Sequence, residues 1–279
     1  MKIVSTGSTL SSPQFLEKRL RARRRSQRWW AIGALTLLII VIVVSRQEKL
    51  LIADVTVEGA RVVKEEDVVA MAKQILAGNY LGLMPKRNAL IYPGQKVEET
   101  LLKEFPRFSA VAASLEGLRL LRIDVAEREP FALYCASVLN PEEAGECFFL
   151  DDQGFIFDQS PLFSGAVYFI YTFKPTLEEP LGKQFLPTAD FGVLAQFIEN
   201  LPVLGIEPLA VEVGVEEFTI ILAHEARMRI GRLSNLNLIY SNLSAFLGDE
   251  VITAQVDFIQ KISELDLRTE NKVFYKFRE

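Results

Sequence analysis

A single histidine limits the catalytic chemistry open to this chain. His224 is the only possible centre of a histidine-based triad. It lies in a predicted turn between two short strands, where an exposed polar side chain is a simpler interpretation than a general base. Gly-rich phosphate loops and paired Cys/His metal ligands are missing from the sequence. We therefore expect no enzymatic activity, no bound metal or cofactor and no small-molecule substrate.

Asp151 and Asp152 come closest to a carboxylate site. As neighbours in an extended segment they would point to opposite faces. They lack the alternating acidic ligands of a calcium loop and the spacing of a catalytic carboxylate pair. With Gln153 and Gly154 they stand between two apolar runs, a pattern typical of a hairpin turn. We interpret them as a structural turn.

The chain has two cysteines, and their positions suggest a crosslink. Cys135 ends one apolar strand and Cys147 begins another, with Pro141 and Gly145 between them. An antiparallel hairpin centred near residue 141 would set the two cysteines opposite one another, within disulfide reach. The alternative is two buried free thiols. We predict the disulfide, which persists in an oxidising compartment.

The segment Trp29–Ser45 predicts a membrane anchor. Its 17 uncharged, mostly apolar residues would form a helix of roughly 25 Å, enough to cross a hydrocarbon core if the flanking arginines snorkel. Residues 1–28 carry eight basic residues against one acidic residue, a balance of +7. Basic segments of this kind stay in the cytoplasm. The alternative is a cleaved signal peptide, whose apolar run is usually shorter.

We therefore predict a basic cytoplasmic tail at residues 1–28, a transmembrane helix at 29–45 and an extracytoplasmic part at 46–279. Because the whole chain carries −5, the residues after 28 carry −12. This acidic exterior argues against nucleic acid as a partner, since phosphate binding needs clustered Lys and Arg. Its length suits one large domain or two ordinary ones.

Residues 46–130 have the pattern of a small α+β domain in the order strand–helix–helix–strand–strand. Val55 and Val57 alternate with polar residues in the first strand, which Gly59 ends. The helices have apolar residues at helical spacing, and Pro106 ends the second one. The predicted elements after the first strand are helices near 65–77 and 95–105 and strands at Phe108–Leu115 and Leu118–Ala126.

Residues 131–279 predict a second domain with a mixed, mainly antiparallel sheet and helices. Thr188 is the expected N-cap of its first helix. The predicted strands are Phe131–Leu139, Cys147–Leu150, Phe155–Phe157, Val167–Phe173, Leu209–Val213, Phe218–Leu222, Arg227–Ile230, Ile262–Arg268 and Lys272–Phe277. The predicted helices are Thr188–Asn200, Ser234–Leu247 and a weaker one near Asp249–Gln260.

Several motifs carry a family resemblance. Val55-x-Val57-x-Gly59 at the start of the first domain and Glu127-Arg128-Glu129-Pro130 at its end resemble a POTRA domain, although the latter is most simply a solvated strand end. The stretches Phe149–Phe157 and Leu265–Phe277 resemble the aspartate–glycine hairpin and the C-terminal Asp-Leu-Arg strand pair of the FtsQ/DivIB bacterial cell-division family. The spacer Glu142–Glu146 and Thr269 depart from that family's pattern.

The resemblance implies a non-enzymatic divisome scaffold in the cell membrane at the division septum. Such proteins bind small bitopic coiled-coil partners of the FtsB and FtsL kind and help to control septal cell-wall synthesis. A POTRA-type receptor for outer-membrane or secretion assembly and, less favoured, a membrane-anchored hydrolase are the alternatives.

The final predicted strand is the expected partner-binding site. A terminal strand can leave one edge of its sheet unpaired, and such an edge can pair with an added segment. Side chains alternate along it, so Val273 and Tyr275 would share one face and Phe274 and Lys276 the other. The predicted partner-binding residues are Val273, Phe274, Tyr275, Lys276 and Phe277.

Overall fold

A computed structural model describes most of the chain, and its residues form an α+β structure with an N-terminal apolar helix and a large mixed sheet, as predicted. The described residues are 13–137, 146–163, 167–249, 258–269 and 271–278. They belong to two compact units. The first unit consists of the chain up to Glu58, Lys64–Glu98 and Ala112–Asp124. The second unit consists of Gly59–Val63, Glu99–Val111 and Val125–Glu279.

The first unit begins with a long helix, α1 (Pro13–Ser45). Its part Arg23–Ser45 is long and apolar enough to cross a membrane, and it is the one such helix among the described residues. From residue 23 to residue 45, every side chain is exposed except those of Ile42 and Ser45. The apolar side chains of this helix therefore bury little of their surface among the described residues.

A strand–helix–helix–strand–strand arrangement, with a short β-hairpin between the two helices, follows α1. Acidic residues fill the first turn of α2, where they complement the helix dipole, and Val68, Ala72 and Leu76 form its buried stripe. The sheet order is β1-β5-β4, with β1 parallel to β5. The elements are β1 (Asp54–Glu58), α2 (Glu65–Leu76), β2 (Asn79–Tyr80), β3 (Met84–Pro85), α3 (Gly94–Glu104), β4 (Phe108–Glu116) and β5 (Leu120–Glu127).

The second unit is built on a nine-stranded sheet with the order β14-β13-β12-β11-β10-β9-β6-β7-β8. Its strands are β6 (Ala132–Cys135), β7 (Cys147–Leu150), β8 (Ile156–Gln159), β9 (Ile170–Phe173), β10 (Pro208–Val213), β11 (Glu217–Leu222), β12 (Arg227–Gly231), β13 (Ile262–Asp266) and β14 (Phe274–Phe277). Five neighbouring pairs are antiparallel and three are parallel.

Among the described residues, three α-helices accompany this sheet: α4 (Thr188–Asn200), α5 (Leu236–Leu247) and α6 (Phe258–Lys261). Thr188 is the first helical residue and Pro187 takes the N-cap position, so the predicted Thr188 cap is wrong. Proline suits the start of a helix because its φ is fixed and because a backbone N–H at this position would have no partner within the helix. Most of the helix predicted near Asp249–Gln260 lies outside the described residues.

Aromatic rings form the centre of the core on which α4 packs. Phe191 of α4 lies 5.1 Å from Tyr171 and 6.3 Å from Phe185 between ring centroids. Gly154 of the Asp151–Gly154 turn has φ +79°, and a Cβ there would come within 2.6 Å of the Phe191 ring. Only glycine therefore fits this turn. Asp151 accepts the Gln153 and Phe155 N–H groups, which makes the segment a structural turn.

The hairpin of β6 and β7 carries a disulfide between Cys135 and Cys147. The two residues are directly paired in the ladder, and their Cα atoms lie 4.4 Å apart. Both cysteines are buried in a small cluster with Leu133, Phe149 and Phe157. The crosslink therefore joins two strands close to the β8 edge of the sheet.

We expect the isolated protein to contain this disulfide and to depend on it for stability. Closing the loop between residues 12 apart should stabilise the fold by about 3 kcal/mol by restricting the unfolded chain. Urea unfolding of the detergent-solubilised chain with and without reductant measures the difference. Mass spectrometry after alkylation under non-reducing conditions is the direct check, and two alkylated cysteines would contradict the prediction.

Candidate partner-binding edge

The last strand of the chain lies at one edge of the nine-stranded sheet. β14 pairs antiparallel with β13, so that Tyr275 is opposite Leu265 and Phe274 is opposite Asp266. No described strand lies beyond β14 in this sheet. The predicted partner-binding residues Val273, Phe274, Tyr275, Lys276 and Phe277 all lie in or directly before this edge strand.

One face of β14 belongs to an aromatic cluster. The Tyr275 ring lies 5.5 Å from both Phe246 and Phe258 and 5.3 Å from Phe277, measured between centroids. Val273 and Phe277 are half-buried against the core. Tyr275 is still 43% exposed because it lies at the margin of this cluster. The face of Val273, Tyr275 and Phe277 therefore anchors β14 to the protein.

The opposite face of β14 presents Phe274 among charged residues. Cross-strand partners share a face of the sheet, so Phe274 stands beside Asp266 and Lys276 beside Glu264. Phe274 is 54% exposed, and among the described residues its ring contacts no other aromatic ring. Phe274 is therefore the outward aromatic of the edge.

Ion pairs hold the charged face in place. Arg268 lies 2.5 Å from Asp266 and 3.3 Å from Glu217, and Arg229 lies 3.1 Å from Glu264. The hydrogen bonds from Arg268 keep the pKa of the Asp266 carboxyl below its ordinary value, and its burial opposes them only in part. The carboxylates of Asp266 and Glu264 on this face thus already have arginine partners.

Backbone groups at this edge point in two directions. The Ser263 hydroxyl donates to the Lys276 carbonyl at 3.1 Å. The Arg278 N–H donates to the carbonyl of Lys261, the residue before β13, at 2.9 Å. Lys276 and Arg278 therefore face β13. Because backbone groups alternate along a strand, those of Tyr275 and Phe277 point away from the sheet, where an added strand can pair with them.

The other edge of the same sheet is partly covered. Ile156 of β8 donates its N–H to the Lys183 carbonyl at 2.9 Å and accepts from the Gly182 N–H at 2.7 Å. The segment that supplies these groups follows the outer side of β8. Among the described residues, β14 is therefore the more open of the two sheet edges.

A cluster of largely buried ion pairs lies in the second unit, and it was not predicted from the sequence. Arg107 pairs with Glu127 at 3.3 Å and also with Asp158. Arg128 pairs with Asp151 at 2.5 Å. The interpretation of Glu127–Pro130 as a solvated strand end is wrong for Glu127, whose side chain is 6% exposed, and for Arg128, at 17%.

The missed signal was in the alternation of β5. Leu121, Ile123 and Val125 are buried at every second position, and the same period continues to Glu127. Its partner Arg107 comes from a distant segment, which no local pattern reveals. Arg128 packs its guanidinium 4.2 Å from the Phe155 ring centroid, which shields the pair with Asp151 from water.

Glu127 also binds three consecutive backbone N–H groups. Its carboxylate accepts from Arg61, Val62 and Val63 at 2.9 to 3.0 Å. Burial of this carboxyl raises its pKa, but the three N–H donors and Arg107 together outweigh burial, and the pKa is lowered. The carboxylate thus serves as a fixed anion that holds the loop after β1.

Among the described residues, no group of three or more His, Cys, Asp or Glu side chains is placed to hold a metal ion. The carboxylates of Glu127 and Asp151 accept hydrogen bonds from arginines and backbone N–H groups, so they organise the fold.

No family model matches the chain, and no curated protein matches it.

We expect the Glu127→Gln variant to lower the free energy of unfolding by about 2 kcal/mol near neutral pH, because the charged acceptor of several donors is lost. A carboxyl whose pKa is lowered by folding stabilises the protein above its unfolded pKa. That stability disappears as the pH falls through the folded pKa. The difference between variant and wild type should therefore shrink as the pH falls below about 4.

Urea unfolding at a series of pH values measures this effect. Glu129→Gln is the matched control. Glu129 is 84% exposed and its 3.5 Å ion pair with the exposed Arg61 contributes little to stability, so this variant should unfold like the wild type. A Glu127→Gln variant as stable as this control at neutral pH would contradict the role of Glu127.

Proposed function

We propose that this protein is a non-enzymatic scaffold of the FtsQ/DivIB type, anchored in the cell membrane, which recruits and regulates septal cell-wall synthesis at the division septum. The observation that carries the proposal is the open β14 edge with its outward Phe274. The resemblance of the Phe149–Phe157 and Leu265–Phe277 motifs supports the family, and the strand–helix–helix–strand–strand segment after α1 supports a POTRA-like domain.

In this proposal, α1 is a single membrane span with the basic tail in the cytoplasm. The tail's balance of +7 favours this orientation under the positive-inside rule. The orientation would also place Cys135 and Cys147 in a compartment where disulfides persist. Anchor charge and disulfide thus support the same topology by independent physical arguments.

The proposed partners are small bitopic proteins of the FtsB and FtsL kind. An extended segment of such a partner adds as a strand beside β14 and pairs with the outward backbone groups of Tyr275 and Phe277. Phe274 then covers apolar side chains of the added strand. This mode of binding needs no catalytic group, cofactor or nucleic acid.

A protease accessibility experiment tests the topology. In intact spheroplasts, added protease should remove nearly all of residues 46–279 while a short N-terminal tag survives, since only the tail lies inside. Lysed spheroplasts serve as the control in which the tag is also lost. Full protection of residues 46–279 would contradict the orientation, and a mature N-terminus near Arg46 would establish a cleaved signal peptide instead.

A pull-down from detergent-solubilised membranes tests the partner class. Short bitopic coiled-coil proteins should co-purify with the full chain. Co-purification of outer-membrane barrel proteins in their place would overturn the proposal and favour a POTRA-type assembly receptor.

We expect Phe274→Ala to weaken partner binding by about 1–2 kcal/mol or more while the fold remains intact, because the side chain lies on the outward face. Partner affinity is measured by titration with the co-purified partner, and folding by urea unfolding. Tyr275→Ala should instead lower stability, because its ring packs on Phe246 and Phe258.

Leu233→Ala is the matched control for Phe274→Ala, since it removes a large apolar side chain that is 98% exposed elsewhere in the second unit. Its partner affinity should equal that of the wild type. If Phe274→Ala, Tyr275→Ala and truncation after Asn271 all leave a folded protein with unchanged affinity, β14 is not the binding edge.

A further inference from the structure

A short hairpin between the two helices of the first unit exposes apolar side chains. β2 and β3 pair through Tyr80 and Met84 around a turn at Leu81–Leu83. Leu81 at its tip is 96% exposed, Leu83 is 45% exposed, and Leu90 in the loop that follows is 70% exposed. These leucines leave apolar surface uncovered by the described residues, and exposed apolar surface of this kind is a candidate interaction site.

Hydrogen bonds fasten this hairpin to the end of the apolar helix. Arg46, the first residue after α1, donates from Nε and Nη2 to the Leu83 carbonyl at 3.1 and 3.0 Å. Asn88, which is 2% exposed, donates from Nδ2 to the Ser45 carbonyl at 2.8 Å. The hairpin and its following loop therefore have a fixed height relative to the last turn of α1.

The hairpin lies level with the last turn of the apolar helix α1. Ile42 is the only half-buried residue among the otherwise exposed side chains of residues 23–44, and β3 contacts α1. Ile42 precedes Ser45 by three residues, which is about 4.5 Å along a helix axis. Protein atoms thus already cover α1 one turn inside the end of its apolar segment.

The sequence around the hairpin is basic, and anionic phospholipids attract basic residues. Residues 68–97 form the longest stretch without Asp or Glu after α1, and they contain four basic residues, whereas the chain after residue 28 carries −12. The basic residues in this stretch are Lys73, Lys86, Arg87 and Lys96. A basic surface with protruding leucines is the combination with which proteins bind lipid interfaces.

We propose that the Leu81–Leu83 tip inserts into the headgroup and acyl boundary of the bilayer that α1 spans, with Lys86 and Arg87 at the level of anionic headgroups. The inference rests on the membrane anchor of the proposed function and adds a second, interfacial contact to it. This contact would limit how freely the first unit tilts on the membrane, because two separated points then hold it to the surface.

Depth measurements on the reconstituted full chain test the insertion. Leu81→Cys, Leu37→Cys in the middle of α1, and Leu233→Cys in the second unit are each labelled with an environment-sensitive fluorophore under non-reducing conditions, with the wild-type chain as the labelling blank. All three leucines are exposed, at 96%, 63% and 98%, so the substitutions should not disturb the fold. The chains are placed in phosphatidylcholine–phosphatidylglycerol vesicles that carry nitroxide-labelled lipids.

We expect the nitroxide lipids to quench the labels at positions 81 and 37 several-fold more strongly than the label at position 233. Strong quenching at position 37, with position 81 quenched no more than position 233, would overturn the hairpin insertion and leave the anchor standing. No quenching at position 37 would overturn the anchor and this inference together.

Discussion

The structure of the second unit is governed by the need of backbone N–H and C=O groups for hydrogen-bond partners. At a strand edge these partners come from another strand, from a covering segment or from water. A nine-stranded open sheet has two edges, each with N–H and C=O groups that lack a neighbour. At β8 the Gly182–Lys183 segment supplies hydrogen bonds to Ile156. At β14 no described segment does so. Among the described residues, this asymmetry leaves the β8 edge partly covered and the β14 edge without a neighbouring segment.

The local features of this fold could be predicted from the sequence, because they repeat with the period of a strand or a helix. Alternation placed Val273 and Tyr275 on one face of the last strand and Phe274 on the other, which is how the structure arranges them. The ends of helices were less well predicted. Thr188 has the chemistry of an N-cap, but Pro187 takes that position.

Long-range polar contacts could not be predicted because they join segments that are far apart in sequence. The Arg107–Glu127 and Arg128–Asp151 pairs bring together the loop before β4, the end of β5 and the turn after β7. Burying such charges is favourable only when each has a partner, so these pairs determine the relative positions of their segments more than they add stability. Hydrophobic patterning carries no information on which arginine meets which carboxylate.

The charged surroundings of Phe274 limit unselective pairing at the open edge. A long, flat, apolar edge strand would pair with any extended chain, including another copy of the protein. β14 is four residues long, and a bulge at Ile262–Glu264 disturbs the ladder beside it. Lys276 and the Asp266–Arg268 pair surround the single outward aromatic ring. In the proposed mode of binding, a partner strand would have to match both the ring and the charges, and this double requirement would make the edge selective.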